Sequence, residues 1–111
     1  MNENLSRQAF ADLTPDTMLD AVESSGIVCD GRFLALNSYE NRVYQVGVED
    51  GSPMVAKFYR PARWSDEAIM EEHRFTLDLA EAEIPVIAPI VDASGMTLHK
   101  HELYRFALYP S

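Results

Sequence analysis

Cysteine is nearly absent from this 111-residue chain, and Cys29 has no second cysteine with which to form an internal disulfide. Lysine and arginine are also scarce, 9 against 18 aspartates and glutamates, for a formal charge of −9. Binding through counterion release needs clustered Lys and Arg, so this balance argues against a nucleic-acid partner. It argues equally against an anionic membrane surface. No apolar run approaches the length of a membrane span, and the polar opening, Met1 to Gln8, has no apolar signal core. The expectation is a cytoplasmic protein of one domain, or of part of one. Hydrophobic residues make up 47% of the chain, enough to build a core.

Thr14-Pro15-Asp16 predicts a helix start, with Thr14 as N-cap, Pro15 at the first helical position and Asp16 at the positive dipole end. Met18, Leu19 and Val22 follow at helical spacing, and Gly26 is a good stop. Strand-like runs follow at Arg32 to Leu36, Arg42 to Val48 and Pro53 to Tyr59, with Glu49-Asp50-Gly51-Ser52 as a hairpin turn. A second helix is predicted from Ser65 to Glu81, with Ser65 as N-cap and Asp66 and Glu67 in its first turn. Pro85 to Val91 reads as a loop running into a fourth strand, and Thr97 to Tyr109 as one or two more strands. The fold class is therefore α+β: a twisted antiparallel sheet of about five strands, one helix packed on it and an extra N-terminal helix. The chain closes on an apolar strand, Tyr104 to Ser111, with no capping element, which would leave its last strand bordering solvent. The expectation is the front part of a longer protein, self-associating or aggregating through exposed apolar surface.

The chemistry centres on Lys57, which lies inside the apolar run Met54-Val55-Ala56-Lys57-Phe58-Tyr59. A lysine there is costly to bury without an anionic partner, either a carboxylate or a phosphate. At about 100° per residue, Ala68, Ile69, Phe75, Thr76, Leu79 and Ala80 share one face of the second helix with Glu72 at its centre. Glu71 falls on the polar side, so Glu72 is the expected inward carboxylate. A strand lysine paired with a helix glutamate is the arrangement that positions nucleotide phosphates in protein kinases. The competing reading is a strand lysine whose ammonium reaches water, with a solvated glutamate further on.

The loop Asn37-Ser38-Tyr39-Glu40-Asn41 can present backbone N–H groups and a hydroxyl to phosphates, although it contains no glycine; it also reads as an ordinary hairpin loop. His99 and His101 fall on one face of a strand, a spacing that suits a metal, but no third ligand is evident and a solvated strand is favoured. His73 flanks the apolar helix face and reads as structural. No nucleophile elbow, zinc pattern, His-Arg-Asp loop or Asp-Phe-Gly occurs.

The order of elements resembles the N-terminal lobe of protein-kinase-like enzymes. Three stretches are similar to the stress-response kinase A family of the aminoglycoside-phosphotransferase-like group: Leu36 to Gln45, Lys57-Phe58-Tyr59-Arg60-Pro61 with Arg63-Trp64, and Glu71-Glu72-His73 with Phe75. Pro85-Val86, Ala88-Pro89 and the Phe106 to Ser111 strand are similar too. The resemblance implies a serine/threonine protein kinase of the bacterial stress response that uses ATP and magnesium and acts on a protein substrate. By position, Lys57 would hold the α- and β-phosphates, and Glu72 would orient it through an ion pair. The loop Asn37, Ser38, Tyr39, Glu40, Asn41 would cover the phosphates, with Tyr109 to Ser111 starting the hinge that meets the adenine. The family's C-terminal lobe, with its catalytic and metal-binding residues, has no counterpart here, so this chain alone is expected to transfer no phosphate and to bind ATP weakly at best. Two other functions are open: a small-molecule kinase of the aminoglycoside or choline type, and a non-catalytic binding or regulatory module. A concave groove between the 37–42 loop and Lys57 would favour the nucleotide clamp. Burial of Lys57 against Glu72 with no cleft would favour the module.

Overall fold

A computed structural model describes residues 10–36 and 40–111; Asn37, Ser38 and Tyr39 of the expected phosphate loop lie outside them. The described elements are α1 (Pro15–Ser24), β1 (Cys29–Leu36), β2 (Arg42–Val48), β3 (Met54–Tyr59), α2 (Asp66–Glu81), β4 (His99–His101) and β5 (Tyr104–Pro110). The strands form one sheet in the order β1-β2-β3-β5-β4, and every neighbouring pair is antiparallel. The α+β class and the five-stranded sheet carrying two helices agree with the sequence reading.

Thr14 caps α1 as expected, its hydroxyl accepting from the Thr17 N–H at 3.2 Å. The helix turns Met18, Ala21 and Val22 inward, all fully buried. They pack on one face of the sheet, against Tyr44, Val46, Ala56, Phe58, Phe106 and Leu108, with Phe10 and Leu13 closing the cluster. Strand alternation places the neighbours of these residues on the opposite face. Register puts Leu36, Val43, Lys57 and Ala107 in one row of that face, and Leu34, Gln45, Val55 and Tyr109 in the next. Helix α2 covers only part of it, where Ile69 joins Tyr59, Leu98, Ala107 and Tyr109 in a second, smaller cluster. Among the described residues, no other helix covers the rest of the face.

Strand β1 begins at Cys29, three residues before the expected start, because a bulge lets it continue. Gly31 makes the bulge at φ +93°, a conformation that costs a side-chain-bearing residue steric strain.

Three expectations are corrected. No strand forms over Pro85 to Val91. Pro85 and Pro89 have no N–H for a ladder, and the segment touches the sheet backbone through the Ile90 N–H, which donates to the Leu108 carbonyl at 2.7 Å. The closing strand does not border solvent either: β5 lies between β3 and β4, and the sheet edges are β1 and β4. Finally, the buried stripe of α2 is not centred on Glu72. Ile69 and His73 are its buried residues, whereas Phe75 is 64% exposed and Glu72 is exposed. The stripe is turned by one residue, about 100°, from the apolar pattern.

The start of α2 is fixed to the sheet. Ser65 Oγ accepts from the Ala68 N–H at 3.1 Å. The Asp66 carboxylate takes Lys100 Nζ at 2.6 Å and Arg105 Nη1 at 2.9 Å, and hydrogen bonds from these two cations hold its carboxyl below the usual range. Across the sheet, α2 is thus anchored to β4 and β5 at its first turn.

Candidate functional site

Between the open face of the sheet and α2 lies a cavity of about 270 Å³ lined by Glu40, Asn41, Lys57, Tyr59, Trp64, Ala68, Ile69 and Glu72. Lys57 reaches it because it pairs with Val43 on β2 and Ala107 on β5, on the face that α1 does not cover. Its Nζ stands 5.2 Å from the centroid of the Tyr59 ring, within the roughly 6 Å reach of a cation–π contact. Glu72 lines the same cavity from α2, yet among the described residues no ion pair joins it to Lys57. The expected Lys57–Glu72 pair therefore shares a cavity in this structure without the expected contact. The one-residue turn of the helix explains this: His73, not Glu72, points at the sheet.

His73 is 2% exposed and its polar atoms are satisfied. Nε2 is 2.8 Å from the Tyr59 hydroxyl, and Nδ1 is 2.7 Å from Thr97 Oγ1. Burial pushes the imidazole pKa down, which favours the neutral ring. The Tyr59 hydroxyl also lies 3.5 Å from that of Tyr109. Burial is the main cause that pushes both phenols up, so both stay protonated and able to donate at neutral pH.

The end of the expected phosphate loop is tied to the segment after β3. Arg63 Nε donates to Glu40 at 2.7 Å, and the Arg60 N–H donates to Asn41 Oδ1 at 3.2 Å. The Arg63 guanidinium in turn lies over the Trp64 ring at 4.9 Å. Two of the stretches that carry the family resemblance thus meet at one wall of the cavity.

The structure brings Lys57, Glu72, Glu40 and Asn41 together. Tyr109 joins only through Tyr59, and Ser111 stands apart, its hydroxyl accepting from Gln45 Nε2 at 3.3 Å. Asn37, Ser38 and Tyr39 are outside the described residues. Sequence reasoning passed over Tyr59, Trp64, Ala68 and Ile69 as lining residues. It also passed over Leu36, Val43 and Val55, which form an apolar shelf beside Lys57. The period-2 rule, run outward from Lys57, would have found Val55 and Tyr59; Trp64 carried no such signal. At the other sheet edge, His99 Nδ1 is 3.9 Å from Asp92 Oδ2. Among the described residues no group of three His, Cys, Asp or Glu is placed to hold a metal ion.

An antiparallel five-stranded sheet with an inner-strand lysine and a helix glutamate opening on one cavity has the architecture of a kinase-like N-terminal lobe. The chain belongs to the phosphotransferase enzyme family, whose pattern matches residues 32–111. It is 48% identical over 111 residues to serine/threonine protein kinase RdoA of Salmonella typhimurium strain LT2, covering 100% of this chain and 33% of that protein. Against stress response kinase A of Escherichia coli strain K12 the identity is 48% over 108 residues, 97% of this chain and 33% of the relative. The Shigella flexneri stress response kinase A gives 47% over 108 residues, again 97% and 33%. The chain thus spans about a third of the length of these curated relatives, 33% of each. No helix among the described residues is long and apolar enough to cross a membrane.

Proposed function

We propose that this chain is the nucleotide-holding lobe of an ATP-dependent protein kinase acting on serine and threonine. The carrying observation is the cavity that Lys57 and Glu72 share beside the Glu40–Asn41 end of the loop. A cavity there supports the clamp reading over a non-catalytic module, which would bury the lysine against the glutamate. Lys57 supplies a point charge for phosphate oxygens. The shelf of Leu36, Val43 and Val55, with the Tyr109 ring, gives a planar base an apolar surface. Lys57 would meet the phosphate from its seat over the Tyr59 ring, with Glu72 lining the same cavity. Magnesium would enter with the nucleotide, and its holders and the general base would come from residues other than those described. The chain alone then binds ATP weakly and transfers nothing.

The choice of protein over small-alcohol acceptors rests on the names of the relatives, stress response kinase A and serine/threonine protein kinase RdoA. Assaying a full-length parent with protein and aminoglycoside or choline acceptors separates the two. For the lobe itself, the test is a titration of the 111-residue chain with ATP and magnesium, followed by amide chemical shifts. Shifts should concentrate at Lys57, Val43, Val55 and Glu72. Lys57→Ala should weaken binding roughly tenfold to a hundredfold, the worth of one hydrogen bond to a charged group. Equal binding by the alanine variant, or shifts spread away from this face, would refute the clamp.

A further inference from the structure

We propose that Tyr59 is the positioning residue of this cavity. Its ring face holds the Lys57 ammonium, and the chain from its hydroxyl through His73 to Thr97 fixes both that ring and the turn of α2 that carries Glu72. The proposal rests on the nucleotide reading above and adds to it the device that sets its geometry.

Two of the three polar side chains, Tyr59 and His73, are brought into a nearly dry place to make the chain, and Thr97 is partly buried. Tyr59 is 3% exposed and His73 2%, where a phenylalanine and a leucine would fill similar space without desolvating polar groups. The groups are satisfied, at 2.8 Å and 2.7 Å. A fully satisfied buried network specifies one arrangement of the parts it joins. Here the parts are β3 through Tyr59, α2 through His73, and the segment before β4 through Thr97. The link meets the cavity at Tyr59 and, through α2, at Glu72, the neighbour of His73. The Tyr59 ring lines it under Lys57, with the ammonium 5.2 Å from the centroid. Glu72 is the residue before His73, so fixing the azimuth of His73 fixes that of Glu72, about 100° away around the helix. Because no ion pair joins Lys57 to Glu72, the aromatic ring, rather than the carboxylate, is what places the ammonium in this structure.

Tyr59→Phe retains the ring but frees it from His73, and the test reads Lys57 directly. In the wild-type chain, the Tyr59 ring current should move the Lys57 Hε resonances upfield. In Tyr59→Phe that shift should shrink, and ATP with magnesium should bind about threefold to tenfold more weakly, the range of a lost cation–π placement. Measurements are made where circular dichroism shows each variant fully folded, so a merely structural role would leave both readouts unchanged. His73→Leu should behave like Tyr59→Phe. His73→Gln, whose amide can again meet the Tyr59 hydroxyl, should recover most of the wild-type shift. A folded Tyr59→Phe chain with wild-type Lys57 shifts and ATP affinity would overturn the proposal. If Lys57→Ala binds ATP as well as wild type does, while Tyr59→Phe still loses the Lys57 shift, the nucleotide reading fails and the positioning role stands.

Discussion

Replacing Tyr59 by phenylalanine should destabilise the chain although the ring stays in place. The hydroxyl is the partner of His73 Nε2 at 2.8 Å, and at 2% exposure the imidazole has almost no access to water as a substitute. Leaving a buried polar atom unpaired costs about 1–3 kcal/mol. For a domain of this size that lowers the melting temperature by roughly 4–12 °C. His73→Leu should cost a similar amount, because it leaves the Tyr59 hydroxyl only its long 3.5 Å contact with the Tyr109 hydroxyl; Thr97, only partly buried, can turn to water. The double variant removes both polar partners and leaves nothing unpaired between them. Its loss should therefore fall short of the summed single losses by about 1–2 kcal/mol, within the range of coupled neighbours. Urea denaturation at pH 8, where the imidazole is neutral, measures all four corners of the cycle. Losses that add to within about 0.5 kcal/mol would refute the buried Tyr59–His73 bond.

Phe58→Ala should remove about 3–5 kcal/mol, since the ring is fully buried and stacks on Phe106 at 5.1 Å; a change under about 1 kcal/mol in urea would contradict that core. Acid should weaken the fold in two stages. His73 and His99 titrate below the ordinary 6.5 because of burial, so the unfolded chain binds more protons there. Their contribution is complete above pH 6.5 and is lost as pH falls through the folded values. Asp30, Asp66 and Asp92 are held below the ordinary 3.8, chiefly by hydrogen bonds, so their contribution is lost at still lower pH. Urea midpoints against pH should show both declines. His73→Leu should flatten the first, and a midpoint that rises between pH 6.5 and 5 would refute the assignment.

Local signals located much of this fold. Thr14 and Ser65 carry side-chain oxygens that cap the first turn of each helix, so both helix starts could be read from a few adjacent residues. The β2–β3 hairpin was legible because the Glu49 to Ser52 turn separates two runs of strand-forming residues. What failed depended on distant partners. The Pro85 to Val91 run is apolar enough for a strand, but its prolines cannot complete a ladder beside β5. Strand β5 looked like an edge because the three-residue β4 that covers it has a weak signal of its own.

The site follows the same division. Lys57 was legible because a charge inside an apolar strand is anomalous by itself. Counting histidine as polar puts Phe75 inside the helix stripe and His73 at its margin, which singles out Glu72. Burial goes to the side chain whose polar atoms find partners, and His73 finds two, Tyr59 from β3 and Thr97 from beyond the helix. Phe75 gains no comparable contact and stays 64% exposed. No periodicity computed on α2 alone contains Tyr59 or Thr97, so the one-residue rotation could not be read there. The consequence reaches the chemistry: with His73 turned to the sheet, Glu72 stands at the cavity rim, and Lys57 rests on an aromatic ring. The network that packs the helix therefore fixes the ring on which the Lys57 ammonium rests, and a Lys57–Glu72 ion pair would require the ammonium to leave Tyr59.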